Sequence, residues 1–168
     1  MIQQPTPGVW GRGMERKPIE ILLVEDNPGD ARLVEEAFRS STWLRALHHV
    51  MDGVAAMEFL RRDGRYTDVP EPSLVLLDLN LPKMSGREVL AEVKKDPALT
   101  HIPVIALTTS QSVHDIEQCY DLGANAYLVK PVDLDQFLES IRKLEEFWFS
   151  VATLPPITDS DGPAPSPA

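Results

Sequence analysis

Three acids, Glu25, Asp26 and Asp78, each stand at the end of a short apolar run, the first two after Ile19 to Val24 and the third after Leu74 to Leu77. Converging carboxylates repel and raise one another's pKa unless a cation offsets them, and an all-oxygen acidic cluster suits Mg²⁺ or Mn²⁺. A hard cation of this kind takes few protein oxygens and leaves room for a phosphoryl oxygen. Two further runs end in complementary groups: Thr108 is a hydroxyl donor and Lys130 a compact positive charge. An aspartate can act as a nucleophile and form an aspartyl phosphate while metal and lysine offset the charge on the equatorial oxygens. Asp78 is the residue expected to take that role.

These groups meet only if the elements carrying them are neighbours. Ile19 to Val24, Leu44 to Met51, Leu74 to Leu77, Val104 to Leu107 and Ala126 to Val129 read as five strands, each followed by a helix signal. Asn27-Pro28 with Asp30 marks a helix start, Ser85 with Glu88 and Asp133 with Gln136 have capping-box or box-like spacing, and Gly123 suits a left-handed helix end. Strand-helix alternation with continuously apolar strands predicts a doubly wound α/β fold, a parallel sheet covered on both faces. In strand order 2-1-3-4-5 the first and third strands adjoin, which brings Glu25, Asp26 and Asp78 together beyond the carboxyl ends, where such sheets bind ligands. Glu25-Asp26-Asn27-Pro28 occupies the first strand-helix turn, where a glycine-rich loop would stand, which argues against Walker-type and dinucleotide sites.

Composition narrows the partners. The 168 residues are 43% hydrophobic and 25% charged, enough for one globular domain with a real core. The net charge is −10, and the charges before residue 19 and after 151 cancel, so the body itself is acidic. It lacks the basic stripe that nucleic acid requires, and anionic membrane surfaces are disfavoured in the same way. Cys119 is the single cysteine, which excludes an internal disulfide and a cysteine-cluster metal site and suits a reducing, cytoplasmic setting. No segment reads as a signal peptide or approaches the roughly 20 apolar residues of a spanning helix. Residues 1–17 read as a flexible leader, 18–151 as the folded domain with an extended last helix, and 152–168 as a proline-rich disordered tail.

The runs Ile21-Leu22-Leu23-Val24-Glu25-Asp26, Leu76 to Gly86, Ala106-Leu107-Thr108 and Tyr127-Leu128-Val129-Lys130-Pro131 together resemble the receiver domain of two-component response regulators. The likeness spans about residues 19 to 146 and implies a flavodoxin-like (βα)5 fold. It implies phosphorylation of Asp78 by a histidine kinase, with Mg²⁺ held by Asp26, Asp78 and the Asn80 carbonyl, and Glu25 acting mainly through a metal-bound water. It also implies that Thr108 moves toward the phosphoryl group, that Tyr127 turns inward, and that Lys130–Pro131 is a cis peptide. Glu25 to Asp30 and Leu107 to Ser110 further resemble small receiver-only regulators paired with phytochrome-type histidine kinases. Thr109 departs from the broader pattern, where alanine or glycine is commoner.

That resemblance implies a phosphoacceptor switch that supports only its own phosphorylation and dephosphorylation, and not an enzyme acting on external substrates. An intermediate phosphorelay carrier or phosphate sink is the alternative. A metal-dependent phosphatase is remote, because enzymes of the haloacid-dehalogenase type need a second acid two residues beyond the nucleophile, and Asn80 stands there. His48, His49, His101 and His114 read as structural or surface residues, and Cys119 as helix packing. In the last helix Leu134, Phe137, Leu138, Ile141, Leu144 and Trp148 form one apolar stripe. Phe147, Phe149 and Val151 lie outside it: either the last turn folds them back on their own domain or they form a dimer or partner contact, and a homodimer is the favoured reading.

Overall fold

The computed structural model describes residues 18–43 and 45–156. The proposed leader, most of the proline-rich tail and Leu44 lie outside the described residues. Five strands, β1 (Ile19–Val24), β2 (Arg45–Val50), β3 (Leu74–Asp78), β4 (Val104–Thr108) and β5 (Ala126–Val129), form one parallel sheet in the order β2-β1-β3-β4-β5. The helices between and after them are α1 (Pro28–Arg39), α2 (Gly53–Arg61), α3 (Gly86–Lys95), α4 (Val113–Asp121) and α5 (Leu134–Glu146). The expected fold class and strand order are both realised. Asp78 and Thr108, read as residues closing their runs, are the last paired residues of β3 and β4.

Alternate residues of the strands feed two cores, as the two-residue pleat requires. Leu22, Val24, Val75, Leu77, Val104 and Ala106 pack with α2, α3 and Cys119 of α4. Ile21, Leu23, Leu74, Leu76, Ile105 and Leu107 pack with α1 and α5 through Ala31, Val34, Phe38, Phe137 and Ile141. Burial on both faces explains why β1, β3 and β4 read as continuous apolar runs.

Helix starts follow local chemistry. The Asn27 carboxamide oxygen accepts from the backbone amides of Gly29 and Asp30, Ser85 and Glu88 form a reciprocal capping box, and Asp133 accepts from Gln136. Gly123, at φ 100°, ends α4. Arg62 ends α2 at φ 56°, and a 3₁₀ turn follows at Gly64–Tyr66. A π turn at Phe147–Val151 continues the last helix.

Three expectations need correction. Among the described residues no peptide bond is cis, so Lys130–Pro131 is trans, the isomer an X–Pro bond favours by about 0.5–1 kcal/mol. Phe149 is not free surface: the π turn folds it back onto the α1/α5 core, edge-on to Trp43. Leu134 sits in the first turn of α5 and is exposed, leaving Phe137 and Ile141 as the buried members of the stripe.

Candidate functional site

Parallel register brings the strand ends into one pocket. Val24 pairs with Leu77, Asp78 with Leu107 and Thr108 with Val129, so the residues that follow β1, β3, β4 and β5 share one rim of the sheet. One carboxylate oxygen each from Glu25, Asp26 and Asp78 lies within 4.8 Å of the others. Glu25 and Asp78 are buried and Asp26 is half-buried.

Backbone amides aim the two buried carboxylates. Asp78 Oδ1 accepts from the Asn80 amide at 2.9 Å, and Glu25 Oε1 accepts from the Asn27 amide at 3.1 Å. Their other oxygens meet Lys130, whose Nζ donates to Glu25 Oε2, to Asp78 Oδ2 at 3.1 Å and to Asp30 Oδ2 at 3.0 Å. The Lys130 side chain is only 8% exposed. Burial pushes its ammonium down, but the Glu25, Asp78 and Asp30 carboxylates outweigh that and hold it above the ordinary lysine value. Burial, assisted by the neighbouring Asp78 carboxylate, pushes Glu25 up to about 7 against the opposing effect of Lys130. One ammonium therefore does not fully offset the clustered acids.

The donor set fits a hard divalent cation. It consists of carboxylate oxygens with no thiolate or imidazole among them, and it retains an acid whose charge a cation would restore. Asn80 adjoins the cluster through its amide contact with Asp78. Thr108 is buried, with Oγ1 accepting from the Ser110 amide at 3.3 Å, and the Thr108 carbonyl accepts from the Lys130 amide at 2.7 Å. Thr109 is exposed. The Tyr127 hydroxyl donates to the Ser110 carbonyl at 2.9 Å, and its ring is half-buried against the α2/α3 core.

Two features escaped sequence reasoning. Asp30 reads as a helix-dipole acid yet binds Lys130; its place four residues after Asp26, in the turn facing the site, was the available signal. The Arg87–Asp115 contact joins residues 28 positions apart, and Ser110 bonds Asp115 from five positions away; the Ser112-x-x-Asp115 spacing signals a helix cap and neither of these contacts. Of the histidines, His48 pairs with Glu20 and His101 with Glu71, whereas His49 Nε2 meets the Glu25 carbonyl at 2.7 Å and so buttresses the site from β2.

The described helices include none long and apolar enough to cross a membrane. Residues 21–142 match the family described as the response regulator receiver domain. The chain belongs to that family. The receiver is 48% identical to the response regulator Rcp1 of Synechocystis over 138 residues, covering 82% of this chain and 94% of Rcp1. Its fold is similar to the crystal structure of the phosphorylated cyanobacterial phytochrome response regulator RcpA, with a TM-score of 0.81, 48% identity and coverage of 83% and 100% of the two chains. It is also similar to the Mn²⁺-bound form of Rcp1, at a TM-score of 0.80, 47% identity and the same coverage. Membership in the family accounts for the sheet order and for the acids at the ends of β1 and β3.

Proposed function

We propose that this response regulator works as a phosphorylation switch in which Asp78 accepts a phosphoryl group from the phosphohistidine of a histidine kinase. The observation that carries the reading is the convergence of Glu25, Asp26 and Lys130 on Asp78. A carboxylate oxygen of Asp78 forms a bond to phosphorus as the P–N bond to the kinase imidazole breaks, and the electron pair leaves on that nitrogen. Lys130, held by Glu25 and Asp30, offsets charge on the phosphoryl oxygens. The Thr108 hydroxyl turns toward the new phosphoryl group, and Tyr127 follows by repacking, which alters the surface beside α4 and α5. Glu25, Asp26, Asp78 and the Asn80 carbonyl would hold Mg²⁺ or Mn²⁺, which when bound draws phosphoryl and aspartate oxygens together and neutralises their charge.

The likeness to Rcp1 and RcpA supports a phytochrome-type kinase as the partner, and with it a role in light signalling. The lone buried Cys119 is in keeping with action in the cytoplasm. Exposed Phe147 and Val151 at the end of the last helix support self-association there.

The test is incubation with a small phosphodonor such as acetyl phosphate and Mg²⁺. Wild type takes up acid-labile, hydroxylamine-sensitive phosphate and Asp78→Asn does not; equal labelling of the two rejects the reading. Sedimentation velocity with wild type and Phe147→Asp reads the assembly: a dimer lost in the variant supports it, and a monomer in both rejects it.

A further inference from the structure

β2 is an edge strand, bonded to β1 alone, yet one of its side chains reaches the carboxylate pocket. His49 is exposed on that edge, one residue before β2 ends, and its Nε2 lies 2.7 Å from the Glu25 carbonyl oxygen. A carbonyl only accepts, so Nε2 carries the proton and donates. The adjacent histidine points to the other face of the strand: His48 pairs with Glu20, near the start of β1, at 2.6 Å and lies against the Phe59 ring.

The Glu25 carbonyl depends on that bond. The β1–β2 ladder carries one step past the strands, with the Glu25 amide donating to the Val50 carbonyl at 3.1 Å, and then stops because Asp52 turns aside to cap α2. A straight continuation of β2 would have offered the Asp52 amide to the Glu25 carbonyl. Glu25 is fully buried, so its carbonyl is shielded from bulk solvent, and the His49 imidazole is the donor it finds among the described residues. The peptide unit that holds this oxygen also holds the Asp26 amide, and it is planar. Fixing the oxygen therefore fixes the backbone from which both acids project, and one carboxylate oxygen of each falls within 4.8 Å of Asp78.

We propose that His49 is a positioning residue for the divalent cation: by holding the Glu25–Asp26 peptide it presets the carboxylates of Glu25 and Asp26 for the metal. This rests on the reading of Glu25, Asp26 and Asp78 as the cation site. His49 acts through the backbone of the ligands and is not itself a ligand, since its Nε2 is spent on the carbonyl. Hydrogen bonds that orient metal ligands raise affinity by removing arrangements that the empty site would otherwise sample. Without the imidazole a buried carbonyl is left unpaired, and the peptide turns to reach solvent. A cation must then draw it back, so the loss appears in metal affinity.

Calorimetric titration of Mn²⁺ into wild type, His49→Val, His49→Gln and His48→Val, each first shown to be folded by circular dichroism, tests this. Valine suits an edge strand and removes the donor, whereas the glutamine amide nitrogen restores a donor near the place of Nε2. His49→Val is expected to bind Mn²⁺ about fivefold more weakly, the weight of one hydrogen bond, and His49→Gln to return to within about twofold of wild type. His48→Val removes an equal side chain from the same strand but one that meets Glu20, and it keeps the wild-type Mn²⁺ midpoint. With acetyl phosphate as donor, the Mg²⁺ concentration for half-maximal phosphorylation rises in His49→Val by the same factor. An unchanged Mn²⁺ midpoint in folded His49→Val overturns the assignment. Equal weakening in His49→Gln or in His48→Val also overturns it, because the cause would then be lost ring packing or a loosened β2. Absence of Mn²⁺ binding by wild type overturns the cation-site reading and the role of His49 together.

Discussion

Lys130 Nζ stands 3.1 Å from Asp78 Oδ2, although their strands are not neighbours: β4 runs between β3 and β5. The long flexible stem lets an ammonium cross one strand and meet three acids at once, which a shorter cation would not do. Removing it strips the transition state of its fixed positive charge and leaves buried carboxylates without their counterion.

Lys130→Ala is therefore expected to lose phosphorylation by roughly 100-fold, the scale of deleting one preorganised charge-stabilising donor. Stability falls by about 3 kcal/mol, because the acids remain buried and unpaired. Added Mg²⁺ recovers part of the stability and little of the rate. Acetyl phosphate kinetics and urea unfolding with and without Mg²⁺ check both halves; a wild-type rate in the variant rejects the assignment.

Asp30 acts one step further out. It is partly exposed, touches Lys130 at 3.0 Å and leaves the Glu25 and Asp78 contacts intact. Asp30→Ala loosens the aim of the ammonium without removing it, and about a threefold slower phosphorylation at saturating Mg²⁺ is expected, with little change in melting temperature. A loss as large as that of Lys130→Ala would mean that Asp30 meets the phosphoryl group or the metal directly.

The contrast between these residues explains what sequence could disclose. Glu25, Asp26, Asp78, Thr108 and Lys130 all sit at strand ends, and a buried parallel strand announces itself by an unbroken apolar run, so each position was readable from its own neighbours. Strand order then brought them together by one topological rule. Asp30 and Asp115 lie in first turns of helices, where an acid has an ordinary reason to be present, and that local reason masked their partners Lys130 and Arg87. The direction of Phe149 is not legible in sequence, because it depends on the π turn, where one extra residue per turn rotates every later side chain. The trans Lys130–Pro131 bond follows no sequence rule, since X–Pro chemistry permits both isomers.

Gly86 sets a steric condition on the site. Its missing side chain leaves room for the Asp78 carbonyl, and a Cβ would also approach Leu79 Cα to 2.6 Å. Gly86→Ala is expected to cost about 3 kcal/mol, the upper end for overpacking against unyielding backbone, and to slow phosphorylation because the strand end must shift. Ser85→Ala removes only the cap of α3 and is expected to cost about 1 kcal/mol with the phosphorylation rate retained. Chemical unfolding and acetyl phosphate kinetics on the pair separate crowding at Asp78 from weakening of α3.

Glu145 offers a pH test remote from the pocket. It is a buried acid near the end of α5, and its Oε1 has no hydrogen-bond partner among the described residues. Burial pushes its carboxyl above the ordinary value, only partly opposed by the Ser41 hydroxyl and Arg45. Arg45 is itself engaged with the Trp43 carbonyl and the Phe38 ring. Because the folded state holds this proton more tightly than the unfolded state, its stabilising contribution is complete below the unfolded value near 4.5 and fades as pH rises through the higher folded value. Above the unfolded value the acid therefore costs stability relative to a neutral group of the same shape. Glu145→Gln is therefore expected to raise stability by about 1 kcal/mol at pH 7, or about 3 °C in melting temperature, with the advantage shrinking toward pH 4. Thermal melts of both proteins across that range decide the matter: a constant difference, or none, would mean that the carboxylate is solvated or fully paired.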